Sequence, residues 1–215
     1  MNNSQESNKV RRIHIILLSI FSAAFIWSLI KPESYLIWCL EAFPMIIGVI
    51  ILIWLFKRFQ FVDFVYVLIL IQFIMMLIGA HYTYGKEPFF NWIKETWGLN
   101  RNYYDRLGHL VQGIVPAFMV REILIREYKF RRGFMLTIVV ILVCLGISAS
   151  YELIEWAIAV VGGKATEPFL GLQGDEWDTQ WDMFCALVGS VITTTMFYKV
   201  HDKHIKRWEE ETNNR

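Results

Sequence analysis

Six long apolar stretches constrain this chain more than any other feature of its sequence. They cover residues 13–30, 35–56, 61–80, 105–125, 134–160 and 178–199. Each has about the 20 mostly apolar residues that a helix needs to cross the hydrocarbon core of a bilayer. The hydrophobic fraction of 55% is correspondingly high for a soluble domain. The sequence therefore predicts an all-α, polytopic membrane protein built as a bundle of six transmembrane helices.

Little of the chain remains outside these stretches. We expect a cytoplasmic N-terminal tail at residues 1–12, a single six-span membrane domain at 13–200 and a cytoplasmic C-terminal tail at 201–215. The first span is followed by Lys31, Pro32 and Glu33 rather than by a small-residue cleavage site, so it is predicted to be a retained helix. The lipid bilayer is the expected partner. The net charge of +1 gives no indication of a nucleic-acid partner.

Basic residues mark alternate ends of the predicted spans. Clusters of Lys and Arg precede the first span and follow the second, fourth and sixth: Lys9, Arg11 and Arg12; Lys57 and Arg58; Arg126, Lys129, Arg131 and Arg132; Lys199, Lys203, Lys206 and Arg207. Lys and Arg collect in the cytoplasmic loops of membrane proteins. Both termini are therefore predicted to be cytoplasmic, and residues 81–104 and 161–177 are predicted to face outward.

In this topology, ionisable residues from three helices lie at one depth. His109, Glu152 and Asp182 each lie roughly 8–9 Å outward of the middle of their span, at 1.5 Å per residue. That position is inside the hydrocarbon, whose half-thickness is about 15 Å. A second tier lies about one turn farther out, on the same helix faces. It consists of Asp105, Glu155 and Asp178, with His81 at the end of the third span.

So many carboxylates at one place repel each other, and a bound cation would relieve this repulsion. Carboxylates combined with imidazole suit zinc, manganese or iron, and bundle proteins build metal sites from paired acids and histidines on facing helices. We predict a divalent metal, zinc first and manganese or iron as alternatives. The predicted ligands are His109, Glu152, Asp182 and Asp178.

Helix capping is the competing explanation for some of these acids. Asp105 and Asp178 each begin a predicted helix, where an acid caps free N–H groups and meets the positive end of the helix dipole. His109 alone could be a hydrogen-bonded core histidine. Glu152 and Glu155 lie toward the C-terminal end of their helix, where the dipole disfavours acids. The hypothesis of a functional cavity therefore rests on the shared depth and side of all these groups.

The two long outward loops are predicted to cover the cavity. In the first loop, FFNWIKETW is amphipathic, and its Phe89, Trp92, Ile93 and Trp97 predict a short helix lying in the membrane interface. In the second, four glycines permit tight turns: Gly162, Gly163, Gly171 and Gly174.

Four motifs carry a family resemblance: GAHYTYGKEPF, YDRLGHLVQG, YELIEW and GDEWDTQWDM. Together they resemble the YjdF-like bacterial inner-membrane proteins, over nearly the whole chain. The resemblance implies a multi-pass protein of the bacterial plasma membrane; it implies no reaction, since that family is classed as a domain of unknown function. The chain is more weakly similar to intramembrane hydrolases of the alkaline ceramidase type, which gather histidines and an acid around zinc. Their Ser-Asp-three-His pattern is incomplete here, because only His81 and His109 are predicted on the outward side.

Three functions fit these features. The first is a metal-dependent hydrolase acting on a lipid or other amphiphile from the outer leaflet. Glu155 or Asp105 would be its general base, and Arg106 or His81 would stabilise developing negative charge. The second is a proton- or cation-handling transporter, although the inward halves of the spans show few polar residues and no inverted repeat appears. The third is a non-catalytic membrane partner protein, whose buried polar groups only specify helix packing.

Overall fold

The computed structural model describes residues 11–213, without the side chains of Glu167 and Asn213. The rest of the predicted tails, at residues 1–10 and 214–215, lies outside this range. The described chain is helical and contains no strand. Its α-helices are α1 (Arg12–Ser28), α2 (Tyr35–Phe56), α3 (Asp63–Tyr82), α4 (Pro88–Trp97), α5 (Tyr104–Arg126), α6 (Phe134–Gly162), α7 (Asp178–Thr195) and α8 (Tyr198–Asn213). The prediction of an all-α protein is confirmed.

Four of these helices, α2, α3, α5 and α6, are long and apolar enough to cross a membrane. The α7–α8 pair counts as a fifth span if its two helices, bent by 60°, are taken together, and α1 is a shorter apolar helix. Multiple membrane crossings are thus supported, while the number six stays a prediction. The predicted sixth span ends early, at Thr195. The hydroxyls of Thr194 and Thr195 bond back to the carbonyls of Ser190 and Val191, a pattern that often bends helices.

Helix α5 lies at the centre of the bundle. It packs against α3, α6 and α7, while α1 and α2 pack against α3. The contact with α7 is the most extensive, because glycines let the two backbones approach closely. A Cβ atom on Gly113 would lie 2.0 Å from the carbonyl oxygen of Ala186, and one on Gly189 would lie 2.2 Å from that of Leu110. This contact places His109, one turn before Gly113, beside the first turns of α7.

The short helix predicted in the first long loop is confirmed as α4. The side chain of Glu87 caps it by accepting the backbone N–H of Phe90 at 2.8 Å. Its side chains Phe89, Trp92 and Trp97 are between 59% and 71% exposed. An exposed aromatic face of this kind is typical of a helix lying in a membrane interface.

The two long loops form one layer across the end of the bundle. We call residues 83–103 and 163–177 the loop layer. Its junction is Asn102, which is fully buried. Asn102 and Gln173 exchange two hydrogen bonds of 2.8 and 2.9 Å, and the Asn102 amide donates to the Glu87 carbonyl at 3.0 Å and to Asn91 at 2.9 Å. The buried amide thus joins both loops.

At the opposite end, residues of the predicted C-terminal tail form most of α8. His201 is fully buried there. Its Nδ1 lies 3.1 Å from an Arg121 nitrogen, and its Nε2 lies 3.3 Å from Glu122. Because arginine only donates hydrogen bonds, Nδ1 is the acceptor and Nε2 carries the proton. Glu122 also accepts the backbone N–H of Val62 at 2.9 Å. The expectation of few polar groups in the inward halves of the spans therefore misses this buried network.

Candidate functional site

A groove of about 790 Å³ lies between α2 and α6, with α3 and α5 forming its floor. Its edges are lined by partly exposed side chains, Ile47 and Ile51 on α2 and Ile147 and Ile154 on α6. The buried ring of Phe169, from the loop layer, also lines it. The groove therefore opens to the side of the bundle, where a bilayer would place its lipid.

The groove has a polar end and a largely apolar body. The polar end, which we call the groove head, lies next to the loop layer and is formed by Glu41, Tyr84, Asp105, His109, Tyr151 and Glu155. The body continues toward the α8 end along residues such as Leu55, Met119 and Ile123. From Glu41 to Leu55 along α2 the groove is roughly 21 Å long, at 1.5 Å per residue.

Acidic and imidazole donor atoms meet beside the groove head. Asp105, His109 and Asp182 each offer one donor atom, and these atoms lie within 4.8 Å of one another. The Nε2 atom of His109 is 3.5 Å from Glu152 Oε1 and 3.7 Å from Asp105 Oδ1. Tetrahedral donors with zinc bonds of about 2.1 Å are roughly 3.4 Å apart. The structure thus brings Asp105, His109 and Asp182 together around one point, with Glu152 beside His109.

Several of these donor atoms are buried without a hydrogen bond. His109 is 4% exposed, Glu152 7% and Asp182 2%. Glu152 Oε1 and Asp182 Oδ1 make no hydrogen bond within residues 11–213, although His109 Nε2 and Arg106 Nε lie 3.5 and 3.3 Å from them. The second imidazole nitrogen, His109 Nδ1, also makes no hydrogen bond within this range. Buried polar groups are normally paired or coordinate metals. The donor set therefore fits a divalent cation, and its role as a metal site stays a prediction.

Two arginines separate Asp178 from the other predicted ligands. Asp178, 2% exposed, accepts from Arg101 in a short ion pair and from Arg106 at 3.0 Å. Arg106 Nε also lies 3.3 Å from Asp182 Oδ1. The charge of Asp178 is thus balanced by two guanidinium groups. Asp178 holds the arginines beside the cluster, and its predicted role as a ligand stays untested.

Asp175, in the loop layer, completes this ion-pair group. It accepts from Arg106 at 2.7 Å. The backbone N–H of Trp177 and the Arg106 guanidinium hold the pKa of Asp175 below its usual value. The loop layer is thereby fixed to the first turn of α5, which carries Asp105 and Arg106.

Comparison with known proteins identifies the family of this chain. The family described as "Predicted membrane protein (DUF2238)" matches residues 13–203. This chain belongs to the DUF2238 family. It is also 42% identical over 183 residues to the inner membrane protein YjdF of Escherichia coli (strain K12), a match that covers 85% of this chain and 88% of the relative. No solved structure matches. The resemblance inferred from the four motifs is confirmed, and the chain is a multi-pass membrane protein.

His81 of this DUF2238 protein lies in a different environment from the cluster. Its Nδ1 atom is 3.1 Å from the Ser28 carbonyl oxygen, and its ring stacks on Trp27 at 4.5 Å between centroids. These contacts tie His81 to α1. The structure therefore does not bring it to the predicted ligands, and its catalytic role stays a prediction without a supporting contact.

The sequence interpretation missed two site residues, Glu41 and Arg101. Glu41 is 2% exposed, lines the groove head and has an Oε2 atom without a hydrogen bond among the described residues. It lies roughly 7 Å outward of the middle of the second predicted span, at 1.5 Å per residue. Glu41 therefore lies at a depth similar to that of Glu152, and depth along the helix also predicts it as a site residue. Arg101 lies in a loop, where depth along a helix gives no signal.

Proposed function

We propose that this DUF2238 protein has six spans in the bacterial inner membrane, with cytoplasmic termini and an outward-facing groove head. The positive-inside rule supports this orientation, because Lys57, Arg58 and Arg126 follow helices that lead away from the groove head. The E. coli relative is described as an inner membrane protein. In this topology, α1 and the α7–α8 pair supply the two spans beyond the four long apolar helices.

The proposed activity is hydrolysis of a membrane amphiphile at a divalent metal site, with zinc the expected ion and manganese or iron as alternatives. Asp105, His109 and Asp182 would hold the ion, with Glu152 as a fourth donor. The observation that carries this proposal is that donor atoms of Asp105, His109 and Asp182 lie within 4.8 Å of one another, with Glu152 of a third helix 3.5 Å from His109 Nε2. A divalent cation supplies Lewis acidity and an activated water for attack on an ester, amide or phosphoester.

The remaining residues of the cluster would act as general base and stabilise negative charge. With Asp105 among the ligands, Glu155 is the general base that lines the groove head. Arg106 would stabilise negative charge on the substrate. One of its nitrogens is bound by Asp175 and Asp178, and its Nε lies 3.3 Å from Asp182 Oδ1, which keeps the guanidinium beside the proposed metal site. Asp178 then orients the guanidinium, which is a positioning role.

A transporter is the less favoured function. Helix α5 does carry ionisable residues at both ends, Asp105 and His109 at one and Arg121 and Glu122 at the other. Between them, however, the groove is lined on α5 by Gln112, Pro116, Met119 and Val120, and α5 and α7 are in backbone contact at Gly113 and Gly189. A lining that is mostly apolar does not favour a path for ions. A groove that brings an amphiphile to the cluster agrees better with hydrolysis.

Metal content of the purified full chain tests the proposal. We expect about one zinc ion per chain in the wild type and none in His109→Gln, which removes an imidazole donor. His81→Gln is the matched control, because it removes another histidine near the same end of the bundle and should retain the metal. A wild type that binds no divalent metal after zinc loading would overturn the proposal, as would full retention by His109→Gln.

A further inference from the structure

We propose that the groove binds one hydrocarbon chain of a membrane amphiphile whose headgroup carries an ammonium group. The cation would lie beside Glu41, and the chain would lie in the groove body. This inference names the ligand class of the site described under the proposed function. It rests on that function only for the claim that the bound amphiphile is hydrolysed. Binding itself requires no metal, so the two proposals can fail separately.

The shape of the groove fits a long chain. Its length of roughly 21 Å exceeds the hydrocarbon half-thickness of about 15 Å, so a chain can extend past the bilayer centre. Its partly exposed edges on α2 and α6 give a chain sideways access from lipid. A Cβ atom on Gly146 of α6 would meet no atom within 4 Å. Gly146 thus keeps one wall of the groove open.

The charge of the groove head fits a cation. Glu41 on α2, Asp105 on α5 and Glu155 on α6 all line it, and carboxylates gathered in one groove head repel one another. Of the residues that line the groove, as far as the chain is described, none is a lysine or arginine. An ammonium group would relieve the repulsion, whereas an anionic headgroup would add to it.

Two further features of the groove head agree with this assignment. Tyr84 and Tyr151 place phenol rings beside the carboxylates, and aromatic faces attract ammonium groups. The arginines near the cluster are engaged by Asp175 and Asp178. They are therefore paired with acids of the loop layer and α7, and no ion pair of Glu41 is found among the described residues.

Binding of radiolabelled octadecylamine to the full chain in non-ionic detergent, with chelator present, tests the inference. Octadecanol and stearate are matched ligands with the same chain. We expect saturable binding of the amine, with octadecanol at least tenfold weaker, since a buried ion pair adds about 1.4 kcal/mol or more. Glu41→Gln should remove this preference. Glu33→Gln, at an exposed glutamate paired with Lys86, should preserve it.

A second variant tests the groove body. A Cβ atom at Gly146 meets no atom within 4 Å, and leucine raises helix propensity. Gly146→Leu should therefore fold, place its side chain in the groove and bind the amine at least about tenfold more weakly. Ala157→Leu, at an exposed position of α6 outside the groove lining, should bind like wild type. Equal binding of amine and alcohol would overturn the ammonium assignment, and undiminished binding by Gly146→Leu would overturn the groove. Loss of metal binding with intact amine binding would refute only the proposed metal site.

Discussion

At the scale of single residues, His109 connects the acids of three helices. Its Nε2 atom faces Asp105 on its own helix and Glu152 on α6, and a donor atom of Asp182 on α7 lies within 4.8 Å of donor atoms of Asp105 and His109. Tyr151 contacts the imidazole edge-on at 5.9 Å between centroids, which restrains the ring. One histidine thus sets where the donor atoms meet.

Gly171 controls the position of the Asp105 carboxylate. It has φ of +63°, and a Cβ atom there would lie 2.6 Å from Asp105 Oδ2. Gly171→Ala should therefore destabilise the fold by about 1 kcal/mol through backbone strain and also displace the carboxylate, weakening metal affinity about tenfold or more. Thermal unfolding and zinc titration measure the two effects.

Gly98 provides a matched control for this change. It has the same φ of +63°, but a Cβ atom there meets nothing within 4 Å. Gly98→Ala should lose similar stability and keep its zinc affinity. If both variants lose metal affinity equally, the carboxylate of Asp105 is not the cause.

At the scale of helices, the contact between α5 and α7 determines whether the site forms. Gly113→Ala should lower the melting temperature strongly, because the new methyl group would lie 2.0 Å from the Ala186 carbonyl oxygen and overpacking costs about 1–3 kcal/mol. Gly146→Ala is the control in another long helix, where the methyl group enters open space. It should be neutral or stabilising by up to about 1 kcal/mol. Thermal melting of both purified variants in the same detergent measures the difference. Equal melting temperatures would contradict the close backbone contact.

Sequence periodicity and hydropathy predict the positions of the long helices. They do not predict the break after Thr195 or the ion pairs between helices and loops. The second predicted span matches α2, and α3, α5 and α6 differ from prediction by at most two residues at either end. The break after Thr195 was not predicted, because the apolar run continues through Met196 and Phe197. Depth along a helix located His109, Glu152 and Asp182. The pairing of Arg101 with Asp178 depends on loop packing between residues distant in sequence, which no local pattern specifies.

At the scale of the whole molecule, the two ends of the bundle differ in chemistry. The loop-layer end carries the acidic groove head, and the α8 end carries the network of Arg121, Glu122 and His201. Arg126 adds to this end by stacking on Trp208 at 3.6 Å from the ring centroid. The basic residues at the α8 end are what the positive-inside rule leads us to expect of a cytoplasmic end.

Reporter fusions test this orientation. Fusions at Lys94 in α4 and at Gly171 in the loop layer should behave as external, and a fusion after Arg215 should behave as cytoplasmic. Fusions at Lys57 and Lys129, between the long helices at the basic end, are the matched internal controls. An external C-terminus would reverse the orientation and place the groove head toward the cytoplasm.

Zinc-edge X-ray absorption of the purified, zinc-loaded full chain tests the central claim most directly. The proposed site predicts a four-coordinate shell of nitrogen and oxygen at about 2.0–2.2 Å, with scattering from one imidazole and no sulfur. The Glu152→Gln variant should lose one carboxylate ligand while keeping the imidazole signal. A spectrum of zinc surrounded by water alone, or a wild-type spectrum unchanged in His109→Gln, would contradict a metal site built from Asp105, His109, Glu152 and Asp182.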